Sequence, residues 1–190
     1  MDTLTALKTR RSIRRFISTP VEREKLETII ECARFSPTGA NRQPLKYAIV
    51  DGEKAEKVLR HLHWAGYLPD YRMEKEDLPN TLILILGDLE ISKDLQFSAG
   101  AAANQIMLAA HELGLANCCL GMSENARAAI MALLGIDPER FALICAVALG
   151  YSAQTSQAVD MVDGSCKYWL DEEENFLVPK RTAKEILLEL

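Results

Sequence analysis

The apolar positions fall into runs of two kinds that alternate along the chain. Leu26, Ile29, Ile30 and Ala33 recur at helical spacing, which predicts an amphipathic helix. Thr19-Pro20-Val21-Glu22 ahead of them reads as its start, with Thr19 as cap, Pro20 in the first turn and Glu22 completing a capping box. Thr3–Thr9 reads as a short first helix, and 54–62 and 124–134 as further ones. Short apolar runs at Tyr47–Val50, Thr81–Leu86, Ala116–Leu120 and Ala142–Leu149 have the length of buried strands. The stretch 98–113 is apolar nearly all round, rich in Ala and Gly, and closed by Gly114. A helix of that kind is buried on several sides, at the centre of the monomer or in a dimer interface. The segment from His63 to Pro79 is irregular and suits a lid. The tail predicts a hairpin (Lys167–Leu170 with Phe176–Val178) and a last helix over 183–188. Alternating helices and strands give a layered domain whose strand order the periodicity does not determine.

The 190 residues suit a single domain spanning 1–190. A net charge of -5 disfavours wholesale nucleic-acid binding. The charge is unevenly placed, with a basic knot at Arg10, Arg11, Arg14 and Arg15 that suits a small anion better than a polymer. No run reaches the roughly 18 apolar residues of a membrane span, and the N-terminus has no signal-peptide pattern. The expectation is a cytoplasmic protein without a membrane partner. The five cysteines form no C-x-x-C pair, so neither a disulfide framework nor a zinc site is expected. Adjacent Cys118 and Cys119 read as small buried hydrophobes, and the His61-Leu62-His63 pair lacks the further ligands a metal needs.

Four runs carry candidate chemistry. In R-R-S-I-R-R-F, residues Arg10, Ser12 and Arg14 alternate, so an extended segment projects them to one side as a phosphate clamp. No glycine-rich nucleotide loop of either common pattern is present. The loop Ser36-Pro37-Thr38-Gly39-Ala40-Asn41-Arg42-Gln43-Pro44 offers short polar groups and open backbone to a flat heterocycle. Gly121, after Cys119-Leu120 at a strand end, lets a backbone N–H approach a ligand. Lys180 and Arg181 follow an extended segment near the C-terminus. Ser12 and Ser36 have no evident His partner for hydrolase chemistry.

Taken in this order, the runs resemble the nitroreductase family of flavoproteins. The A-A-A-N-Q-I-M-L-A-A-H-E-L-G-L-A helix leading into C-C-L-G, the later A-L-G-Y and the late P-K-R extend the match over the whole chain. The resemblance implies an α+β fold, a mixed sheet flanked by helices, assembled as a homodimer with FMN at the subunit interface. It places Arg10, Ser12 and Arg14 on the phosphate and ribityl chain, Arg11 beside them through its main chain, and Lys180 or Arg181 as a further cation. It places Pro37, Thr38 and Asn41 along the flavin ring, Gln43 near its ribityl side, and Leu120 and Gly121 facing the ring. The activity implied is NADH- or NADPH-driven, two-electron, ping-pong reduction of nitroaromatics, quinones or related electron-poor small molecules, with no protein acid, base or nucleophile assigned. A flavin-binding sensor or carrier with little turnover is the alternative, and a colourless polyanion-binding module a third. The chain departs from the family at Leu45, in the short segment between Leu62 and Thr81, and in the aromatic tail around Tyr168-Trp169. Trp64, Tyr67 and Tyr71 read as packing residues that could also line a pocket mouth.

Overall fold

The computed structural model describes residues 2–188. Its centre is a five-stranded sheet in which every ladder is antiparallel: β2 (Leu45–Asp51) pairs with β3 (Thr81–Asp88), β3 with β5 (Phe141–Ser152), and β5 also with β4 (Ala116–Leu120) and the short β1 (Phe16–Ile17). The unbroken apolar run of β3 is explained by its place, since all eight residues are buried between β2 and β5 with both faces covered. Its alternation separates two cores. Leu82, Leu84 and Leu86 pack on the face covered by α3 (Gly52–Leu59) and α5 (Glu124–Leu134). Ile83 and Ile85 pack on the other face, under α2 (Arg23–Ala33) and α4 (Gln96–Glu112). A register shift between Ile85 and Leu86 leaves Ile144 and Cys145 of β5 both in the second core, as an extra residue in one strand does.

Four expectations change. Helix α2 starts at Arg23 with Glu22 as an uncapped N-cap, so Thr19 does not cap it. The residues before it are extended because Val21 is buried in the second core, and the Glu22 carboxylate is taken by the Tyr151 hydroxyl at 2.7 Å. Helix α3 ends at Leu59 rather than near Leu62. A strand absent from the sequence reading, β6 (Ser156–Asp160), pairs in parallel with β8 (Phe176–Lys180), and β7 (Trp169–Leu170) joins β8 as the expected hairpin. The last helix, α6 (Ala183–Ile186), is a single turn. Thr182 and Glu185 form its capping box, but Ile186, Leu187 and Leu188 are all more than two-thirds exposed, so no packing extends it. Helix α1 (Thr3–Thr9) is as expected, capped by Asp2.

Helix α4 answers the question its composition raised. Ala99, Ala102, Ala103, Ile106 and Ala110 are buried against the sheet and α2, while Phe97, Gly100 and Asn104 are exposed and Ala101 and Leu108 half-buried on the outer side. The monomer covers one side of this helix and leaves an apolar stripe open. Among the described residues no helix is long and apolar enough to cross a membrane.

Candidate cofactor site

The arginine segment runs from α1 to β1 along the start of β4. Ser12 forms a parallel bridge with Asn117, and the Ile13 N–H donates to the Asn117 carbonyl at 2.9 Å. Gln154 completes the anchorage, its Oε1 accepting from the backbone N–H groups of Arg14 and Arg15, each at 2.8 Å. Phe16 then locks the segment, packing against Gly150, where a Cβ would lie 2.9 Å from the ring. That contact gives the A-L-G-Y motif its physical meaning: only glycine leaves room for Phe16.

The alternation read from the sequence has its counterpart here. Arg10, Ser12 and Arg14 all bear on Cys118 of β4: burial pushes its thiol up, and each of the three opposes that shift. Arg10 also reaches Met107 of α4, 3.8 Å from its sulfur. Burial and the neighbouring Arg11 lower its pKa from the usual guanidinium range, which leaves it charged. Arg11 faces elsewhere. Its Nη2 donates to the Lys8 carbonyl at 2.6 Å and its Nη1 to the Arg10 carbonyl, tying down the end of α1. With Thr9 and Ile13 it lines a separate cleft of about 350 Å³. Its side chain is therefore outside the clamp.

Arg14 and Arg15 are treated differently by the fold. Arg15 pairs with Glu174 and lies 3.4 Å from Asp77, and the bond to Glu174 raises its pKa against the desolvation. Arg14 forms no ion pair among the described residues, and its Nε is buried without a partner. It is a positive group beside β4 with hydrogen-bonding capacity to spare. Further along that strand, Leu120 is buried and Gly121 is exposed, with nothing within 4 Å of where a Cβ would stand.

The polar loop forms a 3-10 turn, Gly39–Asn41, with Ala40, Asn41 and Gln43 at positive φ. Thr38 braces it, its Oγ1 accepting from the Gln43 N–H at 3.0 Å. Pro37, Asn41 and Gln43 are exposed and Thr38 half-buried. The structure does not bring this loop to the arginines of its own chain. Leu45, where the loop ends, lies opposite Gly87 and so level with Ala142, whereas Asn117 lies level with Leu149. From strand rise and spacing, the two sites are about 23 Å apart along the sheet and about 14 Å across it. Nor does it bring Lys180 or Arg181 to the clamp. Both are exposed; Lys180 stands four residues beyond Phe176 on β8, opposite Asp160, and Arg181 is 3.9 Å from Glu185.

A cavity of about 700 Å³ lies under the irregular segment and is lined by Leu62, His63, Trp64, Tyr71, Met73 and Leu78, none of them a candidate cofactor residue. Trp64 packs edge-on to Phe16 and Tyr71 to Phe176, so their packing role is primary. Among the described residues no cluster of metal-ligating groups occurs. Sequence reasoning missed Gln154 and Asn117 as anchors. Asn117, a lone polar residue in the apolar run of β4, carried a signal; Gln154 in a turn carried none.

The donor set fits a flavin mononucleotide. Arg10, Ser12 and Arg14 suit its phosphate and sugar chain, the open backbone at Gly121 suits a ring edge, and no carboxylate is paired with either clamp guanidinium among the described residues. Comparison with known proteins agrees. The model of the nitroreductase family matches residues 7–151. A protein of Archaeoglobus fulgidus, provisionally named an NADH dehydrogenase/NAD(P)H nitroreductase, is 31% identical over 150 residues, covering 75% of this chain and 81% of that protein. A Desulfovibrio desulfuricans structure, provisionally named a nitroreductase and solved in complex with FMN, matches all of this chain and 98% of its own, with 29% identity and a TM-score of 0.75. An FMN-dependent nitroreductase from Clostridium difficile is 27% identical, with a TM-score of 0.71 over 85% of this chain and 95% of its own. The chain belongs to the nitroreductase family.

Proposed function

We propose that this chain is an FMN-dependent oxidoreductase, driven by NADH or NADPH, that reduces electron-poor small molecules such as nitroaromatics or quinones as a homodimer. The observation that carries this reading is the line of groups along β4. Ser12 is bridged at Asn117 and Gly121 follows four residues on, about 13 Å at strand rise, the length scale of one mononucleotide. Arg10 and Ser12 hold the phosphate, Arg14 the ribityl chain, and Arg11 contributes main chain only. Leu120 walls the ring and the Gly121 N–H meets its edge. Of the tail cations, Lys180 is the one without an ion pair among the described residues, and Arg181 is engaged with Glu185. Bound FMN supplies the two-electron chemistry. The residues bind and orient it; nicotinamide donor and acceptor use the same open face in turn.

The homodimer follows from the separation of the two half-sites. Pro37, Thr38, Asn41 and Gln43 lie further from their own arginines than a mononucleotide reaches, so a second copy supplies them, and the open stripe on α4 gives that copy a place to pack. The first test is the absorption spectrum of the purified protein with FMN, before and after anaerobic NADH and then NADPH. Bleaching by either donor supports the enzyme, a flavin spectrum that neither bleaches leaves a binding protein, and no flavin uptake refutes the reading. The shared site has its own test. Arg10→Ala and Asn41→Ala each damage both sites of a homodimer, but a mixed dimer of the two has one intact site. Random exchange makes about half of the dimers mixed, so recovery of about a quarter of the FMN sites on mixing is expected from that symmetry; no recovery places both residues on one chain's site.

A further inference from the structure

Arg14 lies where three parts of the chain meet. Its backbone is fixed by Gln154, and its guanidinium sits 4.9 Å from the ring centre of Tyr168 and 4.5 Å from that of Phe176. The two rings meet edge to face, 5.6 Å apart at 66°, and form a corner around the cation. Both rings are themselves held. Phe176 is fully buried and packs on Tyr71 at 5.5 Å. Tyr168 packs on Tyr67 at 5.1 Å, and its hydroxyl accepts from the Tyr67 N–H at 3.2 Å. A cation over aromatic faces is oriented without being neutralised. Close by, Glu174 and Asp77 hold Arg15. These carboxylates are the alternative partners of a mobile Arg14, and a guanidinium paired with them would no longer serve an anionic ligand.

We propose that Tyr168 and Phe176 are positioning residues that hold the Arg14 guanidinium free of those carboxylates and directed at the bound cofactor. The tail strand and the irregular segment between Leu62 and Thr81 thus set the orientation of a cofactor ligand that neither contains. Both rings lie outside the stretch 7–151 that the family model matches. It rests on the reading of Arg14 as an FMN ligand.

The test is a double-mutant cycle on the FMN-loaded protein. Tyr168→Leu is expected to weaken FMN binding about 3- to 10-fold, the size of one cation–aromatic contact, and to lower the flavin midpoint potential, because Arg14, two residues beyond the parallel Ser12–Asn117 bridge and so at the ring end of the ribityl chain, favours negative charge on the reduced ring. Tyr168→Phe keeps the ring and is expected to restore both. In an Arg14→Leu background, Tyr168→Leu should change neither affinity nor potential further. Additive losses in that background would overturn the proposal, as would a Tyr168→Leu protein with wild-type potential. Arg14→Leu alone leaving FMN affinity unchanged would instead refute Arg14 as a cofactor ligand. Phe176→Leu gives an independent second arm, since its ring contacts Arg14 at the shorter distance.

Discussion

Gly150→Ala tests the link between packing and the cofactor site. The added methyl would lie 2.9 Å from Cδ1 of Phe16, 3.5 Å from its Cγ and 3.6 Å from its Cβ. An ordinary carbon contact begins near 3.5 Å, so the ring has to withdraw by about half an ångström. It has little room to do so, being 1% exposed with Trp64 edge-on to it. Overpacking of this kind costs about 1–3 kcal/mol. For a chain of this size that lowers Tm by roughly 2–12 °C. The same displacement pulls on Arg14 and Ser12, two and four residues upstream, so FMN affinity should fall together with Tm. Differential scanning calorimetry of the apo protein and a fluorescence titration with FMN measure the two effects. Gly66→Ala is the control: a Cβ there meets nothing within 4 Å, so Tm should stay within about 2 °C of the parent. A Gly150→Ala protein as stable as Gly66→Ala, with unchanged FMN affinity, would refute the idea that Phe16 against Gly150 anchors the arginine segment.

The other predictions concern charge. Arg14→Ala and Arg15→Ala remove the same charge one residue apart, yet only Arg14 lacks an acidic partner among the described residues; FMN affinity should drop about 10- to 100-fold for the first, as for a lost charge-assisted hydrogen bond, and about threefold or less for the second, and equal losses would mean that diffuse charge, not a clamp, binds the cofactor. The His111 pKa is lowered by burial and then by Arg10, with Arg11 also unfavourable and Glu112 opposing. The unfolded chain therefore takes up this proton first, and stability from His111 is intact above the unfolded value and declines as pH falls through it towards the lower folded value. Urea denaturation from about pH 7.5 to about pH 5 should show a shallower decline in His111→Gln than in the parent; identical slopes would remove His111 from that window. In β4, the Cys119 pKa is lowered chiefly by a hydrogen bond from Cys145, whose own pKa is raised by the same bond and by burial; of these two thiols, Cys119 should alkylate first, and mass mapping that finds Cys145 first would reverse the direction of that bond.

What could be read from the sequence, and what could not, divides by the range of the interactions. The strands β3, β4 and β5 were legible because each buries a run whose composition alone demands it, and Leu82 or Ile83 is apolar whichever neighbour it meets. The proposed clamp rests on a local pattern, because alternation puts Arg10, Ser12 and Arg14 on one side of an extended segment whatever surrounds them. The start of α2 was not. Thr19 and Glu22 make a valid capping box by local rules, and the burial of Val21 and the hold of Tyr151 on Glu22, 129 residues away, override it. β6 was missed because Ser-Gln-Ala-Val-Asp has little apolar content, and it exists only because β8 pairs with it. The roles of the arginines show the same limit more sharply. Arg14 and Arg15 are adjacent, identical in type and both anchored through Gln154; what separates them is the residues brought beside each, two rings for one and two carboxylates for the other. Local sequence can nominate a cation as a ligand. Whether that cation is left uncompensated, and so able to bind, is decided by partners some 150 residues away in Tyr168, Glu174 and Phe176.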